Sequence, residues 1–363
     1  MRIESLTFLR FVAALVVVFF HFGREATGLT GFFVSGPQMV TFFFVLSGFV
    51  MAIAYGGKPT VALGPFLWAR TARIFPVYFA ALALVVLSYL VRGKEVGAVA
   101  FGLNVTLLQS WFPPYPTSLN SPGWSLSVEM FFYATLPCLL AFFQRIRPRP
   151  VVLGGIVLAL WLGTQVIHSS LLGRAVGEST EILHDFVYYF PPSHLCSFAM
   201  GLAGGLIFQD KGWYRSSGWG AFLVSFGAGA LIVYGLDHPD RVEALLGVPL
   251  AFASSFYAPL FLVLVLGVAS SRWPWSDWLA WRPLVLLGEA SYSLYILQVP
   301  IYQLYTKFLA GQLGLDALAN FALYVLILIG VSILSFLWFE KPTNRFLRSR
   351  PPLAWLRPRS EQG

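Results

Sequence analysis

The chain has 363 residues, of which 57% are hydrophobic and 11% are charged, and its mean hydropathy is +0.72. Soluble domains carry about 25% charged residues, so this composition excludes a soluble globular protein and predicts an all-α, polytopic membrane protein. The formal net charge of +8 requires no nucleic acid as a partner, because Lys and Arg of membrane proteins concentrate on the cytoplasmic side, near anionic lipid headgroups.

Ten apolar runs are long enough to cross a bilayer, which places both termini on one side. With the termini in the cytoplasm, 18 of the 24 Lys and Arg residues fall on the inner side, as the positive-inside rule favours. Run 97–111 is shorter and more polar, so it could be re-entrant, interfacial or an eleventh span. We predict a membrane domain over 1–345 and a short basic cytoplasmic tail over 346–363. The predicted spans are 8–22, 37–55, 74–91, 124–143, 151–167, 190–208, 218–234, 246–268, 290–305 and 318–339.

The first apolar run carries a guanidinium and an imidazole, Arg10 and His21. Their separation of eleven residues is three helical turns plus about 20°, so on an α-helix they share one face, about 16 Å apart along the axis. Ionisable groups at membrane depth are costly and usually mark a functional path. Two alternatives stay open: Arg10 could snorkel to the inner headgroups, and His21 could be a hydrogen-bonded core residue.

Two further arginines, Arg70 and Arg73, stand at positions i and i+3 just before the third span. They share a helical face at the inner membrane boundary, at a depth similar to that of Arg10. Guanidinium groups bind phosphate bidentately, so the three arginines predict a basic mouth for an anionic ligand. The alternative is that Arg70 and Arg73 only obey the positive-inside rule.

The fourth span brings a carboxylate, Glu129, to the predicted depth of His21 in the outer half of the membrane. A carboxylate beside an imidazole raises its basicity and fixes its tautomer, so we predict that Glu129 orients His21 as a general base. Ser125, Glu129 and Tyr133 recur every four residues and line one face after Trp124, which begins the span. The alternative for Glu129 is a structural ion pair.

The remaining polar features allow only general interpretations. Segment 113–124, PPYPTSLNSPGW, faces outward, and its aromatic and amide groups would suit a glycan, although it could be an ordinary loop. His194 follows two prolines near the outer end of its span and is interpreted as structural or interfacial. Cys138 and Cys196 fall inside predicted spans, so we expect neither a disulfide nor a metal site.

Six motifs in a fixed order carry a family resemblance. They are Arg10 and His21 with ten residues between them, FFFVLSGFV at 42–50, the Arg-x-x-Arg of Arg70 and Arg73, WSLSVEMFFY at 124–133, GEASYSLYILQ at 288–298 and FEKP at 339–342. Over nearly its whole length the chain resembles the acyltransferase-3 family, the polytopic bacterial enzymes that acylate envelope and exported glycans.

The resemblance implies that His21 is the catalytic histidine, that Glu129 matters beside it, and that the three arginines bind the donor. It implies a bacterial inner-membrane location, acyl-CoA as donor substrate without a bound cofactor, and an acceptor hydroxyl on a carbohydrate or glycoside at the outer face. One position departs from the family: Gln298 stands where members often have His, which puts a proton-transfer role there in doubt but leaves a hydrogen-bonding role.

The leading hypothesis is therefore a membrane O-acyltransferase, and specifically an O-acetyltransferase. Because the chain stops soon after the tenth predicted span, we expect no esterase-like domain, so the protein completes transfer itself or with a separate periplasmic partner. The alternative is a transporter or flippase of a lipid-linked sugar, which would share the spans and buried charges, although no paired half-sequence repeat is evident. Acceptor identity and acyl length stay open.

Overall fold

A computed structural model describes residues 4–174, 179–212, 219–270 and 279–350. Within these ranges every regular element is helical and there is no β-strand, which confirms the all-α prediction. Of the basic tail predicted over 346–363, residues 351–363 lie outside the described residues.

The helices are numbered here in chain order, leaving out single turns. They are α1 (Glu4–Val18), α2 (Gly36–Tyr55), α3 (Leu63–Val91), α4 (Ala98–Val105), α5 (Trp124–Ile146), α6 (Pro150–Arg174), α7 (Ser179–Tyr188), α8 (Leu195–Lys211), α9 (Trp219–Asp237), α10 (Pro239–Leu246), α11 (Ala258–Ser270), α12 (Arg282–Glu289), α13 (Ser291–Phe308), α14 (Ala317–Ser335) and α15 (Lys341–Ser349).

Seven helical segments in the described ranges are long and apolar enough to cross a membrane, and the α12–α13 pair, bent by 54°, makes an eighth if it counts as one broken span. The other two predicted spans correspond to α8 and α11, which have 17 and 13 residues. A full crossing needs about 20. The seven segments are Glu4–Thr27, Gly36–Tyr55, Leu63–Val91, Ser121–Ile146, Pro150–Gly173, Trp219–Asp237 and Ala317–Ser349.

Local breaks explain why two predictions differ from the structure. The predicted span 246–268 is interrupted because Ser254 and Ser255 leave the helical conformation, and Ser255 has a φ of 64°. The run 97–111 forms only the eight-residue α4 and a short 3₁₀ turn at Gln109–Trp111. Eight helical residues extend about 12 Å, so the alternative of an eleventh span is wrong.

Glycines bring α2 and α8 into backbone contact at the centre of the fold. A Cβ atom added to Gly201 would lie 1.9 Å from the carbonyl oxygen of Val45, and one added to Gly48 would lie 2.1 Å from that of Phe198. Small residues allow such close approach between membrane helices, where van der Waals packing rather than the hydrophobic effect drives association. The α2–α8 pair is thus a rigid centre for the helices around it.

This contact predicts a stability effect. We expect Gly201→Ala to lower the free energy of unfolding by about 1–3 kcal/mol, because one methyl group forces the two backbones apart. Gly154→Ala on α6 is the matched control, since nothing lies within 4 Å of its added Cβ and alanine is the better helix former. Thermal denaturation in detergent measures both variants. A Gly201→Ala protein that melts at or above the wild-type temperature would contradict the packing argument.

Candidate active site

A cavity of about 130 Å³ lies between α1, α2, α3, α5 and α13. Three guanidinium groups line it, Arg10 from α1 and both Arg70 and Arg73 from α3, and all three side chains are half-buried. The structure therefore brings together the arginines that the sequence analysis grouped, although they come from two helices separated in sequence.

Arg70 is held in an aromatic cage. Its guanidinium carbon lies 5.4 Å from the ring centre of Phe66, 5.7 Å from that of Tyr133 and 5.9 Å from that of Tyr55. Its Nη2 also donates a hydrogen bond of 3.2 Å to the Tyr55 hydroxyl. Cation–π contacts of this kind attract the guanidinium to the ring faces, so the cage fixes the direction in which Arg70 faces the cavity.

The fourth predicted span contributes its polar face to the same cavity. Ser125, Glu129 and Tyr133 all line it, as their spacing on one helical face predicted. The Tyr133 hydroxyl donates to the Glu129 carboxylate, which also interacts electrostatically with Arg10 and Arg70. Glu129 is therefore a neighbour of the arginines.

Trp124 lies outside this lining. Its ring is buried, 5.3 Å from the ring of His194 and 5.1 Å from that of Tyr189. His194 is 1% exposed, and its Nε2 lies 3.0 Å from the Tyr188 carbonyl oxygen. Both residues thus belong to a packed aromatic cluster next to the cavity, and the structural interpretation of His194 agrees with its place there.

The structure does not place Glu129 among the hydrogen-bond partners of His21. His21 Nδ1 lies 3.0 Å from the Val17 carbonyl oxygen and 3.0 Å from Gln298 Oε1. The Gln298 amide nitrogen donates to the Tyr295 carbonyl at 2.6 Å, which turns Oε1 toward the imidazole. Both partners of Nδ1 are acceptors, so Nδ1 carries the proton and Nε2 keeps a free lone pair. This is the tautomer that a general base or nucleophile needs at Nε2.

Gln298 thus performs the hydrogen-bonding role that the sequence analysis left open for it, and it links His21 to the cavity. One helical turn before Gln298, Tyr295 lines the cavity, and its hydroxyl lies 2.8 Å from Ser125 Oγ. The imidazole and the arginine cavity are therefore connected through α13.

A π-helical segment, Phe19–Gly23, contains His21. The hydrogen-bonding pattern of a π-helix is i→i+5, and such segments in α-helices are frequent at functional sites. The prediction that Arg10 and His21 share one face assumed an α-helix from one residue to the other. The α-helix ends at Val18, so the predicted angle between the two side chains does not apply to His21. A residue's place in its span predicts its depth along the membrane normal, but it does not predict which helices are neighbours. Glu129 can therefore lie at the depth of His21 without touching it.

A buried carboxylate, Glu340, was not predicted as a site residue, because the last predicted span ended at residue 339. Glu340 closes a second π-helical segment, Phe336–Glu340, is 5% exposed, and accepts a 2.8 Å hydrogen bond from Ser293 Oγ. It lines a groove of about 560 Å³ that shares Arg10 and Arg73 with the cavity. The signal in the sequence was an acidic residue directly between an apolar run and a basic one.

The groove has a strongly basic rim. Lys341, Arg345 and Arg348 of α15 line it together with Arg10 and Arg73. These rim residues recur at i, i+4 and i+7, so they share a face of α15. Because the groove and the cavity share Arg10 and Arg73, the basic residues of α15 and the arginines of the cavity line adjoining spaces, which also contain the carboxylates Glu129, Glu289 and Glu340.

The loop before α5 is anchored to the helix that carries Gln298. Asn120 is fully buried, and its amide nitrogen donates a 3.0 Å hydrogen bond to the carbonyl oxygen of Ile296. That carbonyl has no partner within the helix, because Pro300, four residues on, lacks an N–H. The segment predicted as a glycan-contacting lip is thus packed, at Asn120, against α13.

The contact between Gln298 and His21 can be tested. We expect Gln298→Leu to lower the rate of the histidine-dependent reaction about tenfold, since it removes the acceptor that fixes the tautomer. Gln298→Glu keeps an acceptor and adds a charge that stabilises the protonated imidazole. The pH at which the rate is half-maximal should therefore move upward in Gln298→Glu. Identical pH–rate profiles for Gln298→Glu and the wild type would contradict the contact.

The chain is similar in sequence to several known proteins. Residues 3–339 match a family model described as an acyltransferase domain. Acyltransferase MdmB of Streptomyces mycarofaciens is 28% identical, over 97% of this chain and 94% of that protein. Exopolysaccharide production protein ExoZ of Rhizobium meliloti (strain 1021) is 29% identical, over 94% of this chain and 99% of that protein. Putative peptidoglycan O-acetyltransferase YrhL of Bacillus subtilis (strain 168) is 26% identical, over 94% of this chain but only 54% of its own length. No solved structure matches.

Proposed function

This chain belongs to the acyltransferase-3 family, and we propose that it transfers an acyl group, specifically acetyl, from cytoplasmic acyl-CoA to a hydroxyl of an envelope or exported glycan on the outer face of the bacterial inner membrane. The names of two relatives, which refer to exopolysaccharide production and to peptidoglycan O-acetylation, support a glycan acceptor.

One observation carries the proposed donor: the half-buried guanidinium groups of Arg10 and Arg73 form no hydrogen bond or ion pair with any described residue. Charges taken out of water need a partner, and both groups face the cavity and the groove. Coenzyme A carries phosphates, and guanidinium–phosphate hydrogen bonds are charge-assisted and bidentate. The phosphates would bind at the groove, with Lys341, Arg345 and Arg348 at its rim.

The cavity then directs the acyl end toward His21. The pantetheine arm would pass Ser125 and Tyr295, and Nε2 of His21 would remove the proton from the acceptor hydroxyl. The acceptor oxygen attacks the thioester carbonyl, the new C–O bond forms as the C–S bond breaks, and the leaving thiolate takes the proton from the imidazolium. A covalent acyl-histidine would use the same lone pair, and in both routes Glu129 and Tyr133 would act on Arg10 and Arg70 electrostatically rather than on the imidazole.

The proposed topology has ten crossings with both termini in the cytoplasm, with α8 and α11 completing the count. Two features support it. The groove is lined by Leu6 and Thr7 from the start of the chain and by α15 from its end, so both ends of the described chain meet at one groove. The excess of Lys and Arg on the predicted inner side gives that groove its proposed cytoplasmic orientation.

Proteoliposomes of known orientation test the direction of transfer. Acetyl-CoA supplied on the α15 side should acylate a glycan enclosed on the opposite side. Ser349→Cys, exposed on α15, reports orientation through an impermeant thiol reagent in a background lacking Cys138 and Cys196. Product that forms only when donor and glycan share a compartment would overturn transfer across the membrane.

A further inference from the structure

An apolar cleft of about 640 Å³ opens between α9 and a wall built from α1, α2 and α11. Its floor includes Met39, Phe42 and Phe261, all at most 4% exposed. Phe42 lines the cleft, and the next residue, Phe43, lines the cavity of the candidate active site. The wall therefore separates the two spaces. The function proposed above makes no use of this cleft.

Polar side chains gather at one end of the cleft, where α9 ends. Tyr234, Asp237 and His238 are the polar residues among the described ones that line it. Asp237 Oδ1 accepts a 2.9 Å hydrogen bond from the backbone N–H of Phe32, and its other oxygen takes none from the described residues. His238 Nδ1 lies 3.0 Å from the Tyr234 carbonyl oxygen, so Nδ1 donates and Nε2 stays an acceptor.

This end therefore offers two acceptors, with a cation beside them. Arg241 Nη1 lies 3.4 Å from the Tyr234 hydroxyl, one turn beyond the cleft. The complement is a group that carries N–H donors and a positive charge, attached to an anion. We propose that the cleft binds one acyl chain of a phospholipid with an ethanolamine headgroup, whose ammonium donates to Asp237 and His238 while its phosphate faces Arg241.

Selectivity in this site rests on the headgroup. Bilayer hydrocarbon is as apolar as the cleft, so moving an acyl chain from one to the other contributes little. A primary ammonium has three N–H donors, whereas a choline headgroup has none and a glycerol headgroup has no positive charge. The same acyl chain should therefore be retained with ethanolamine and lost with the other two headgroups.

Native mass spectrometry tests the proposal on the full-length protein. The protein is equilibrated with an equimolar mixture of phosphatidylethanolamine, phosphatidylcholine and phosphatidylglycerol that carry the same acyl chains, and retained lipid is counted. We expect the ethanolamine lipid to dominate in the wild type. Asp237→Asn keeps the contact to Phe32 and should retain about tenfold less of it, as loss of one charge-assisted hydrogen bond implies.

Two glycines of α9 supply a matched pair of variants. Gly229 lines the cleft and Gly227 does not, and nothing lies within 4 Å of an added Cβ at either position. Gly229→Trp should fill the cleft and lose the lipid, while Gly227→Trp should retain it, with equal melting temperatures showing that both fold. Equal retention of the three lipids, or wild-type retention by Gly229→Trp, would overturn the proposal.

Discussion

His21→Ala should lower the rate of acyl transfer by about 10²–10⁴ while expression and membrane insertion stay unchanged. Nδ1 donates to the Val17 carbonyl oxygen and to Gln298 Oε1, so Nε2 is the nitrogen that is left to accept a proton. The substitution removes this nitrogen together with the ring. If the histidine instead carries the acyl group, the loss is larger, because a nucleophile is then absent. Steady-state transfer from acetyl-CoA to an acceptor glycan measures the effect.

His184→Ala is the control for this variant. It removes an imidazole that is 49% exposed on α7 and lies outside both the cavity and the groove. Its rate should stay within about twofold of wild type, as surface substitutions usually have small effects. Wild-type turnover by His21→Ala would remove the histidine from the mechanism, whatever the control shows.

Arg10→Ala and Arg73→Ala should each weaken coenzyme A binding by about 10- to 150-fold, the range expected for one hydrogen bond to a charged group at 1.5–3 kcal/mol. Both guanidiniums line the cavity and the groove and form no hydrogen bond or ion pair with any described residue. Arg70→Ala should weaken binding as well, but it also empties the aromatic cage of Tyr55, Phe66 and Tyr133. Its melting temperature must therefore be measured with its affinity.

Isothermal titration of coenzyme A into each purified variant measures the dissociation constants. Arg145→Ala is the matched control, since Arg145 is exposed at the end of α5 and lines neither space. The alternative, in which the arginines only set topology, predicts unchanged dissociation constants and altered orientation in the membrane. That result would leave the groove without its proposed ligand.

Local periodicity predicted part of this site. Ser125, Glu129 and Tyr133 share a cavity because spacing along one helix decides which face each residue occupies. Arg70 and Arg73 reach the same cavity for the same reason. Such inferences need only the helix itself, and they agree with the structure.

Relations between helices could not be predicted in this way. The partner of His21 is Gln298, 277 positions away in sequence, and nothing in either span indicates which faces meet. The π-helical segments at 19–23 and 336–340 shift the register of His21 and Glu340 and have no clear sequence signature. The break at Ser255 depends on a positive φ, which Gly or Asn would have indicated but Ser does not.

The hydrogen bond from Asn120 to Ile296 has a mechanical consequence. Because Pro300 removes the helical partner of that carbonyl, Asn120 of the loop supplies the hydrogen bond that α13 lacks there. The same stretch of helix, two residues on, presents Gln298 to His21. A displacement of the loop therefore either breaks the Asn120 bond or pulls on the segment that selects the imidazole tautomer. If the proposed acceptor binds at this loop, its binding would be coupled to the tautomer of His21, and the proposed thioester would be protected from hydrolysis when no acceptor is present.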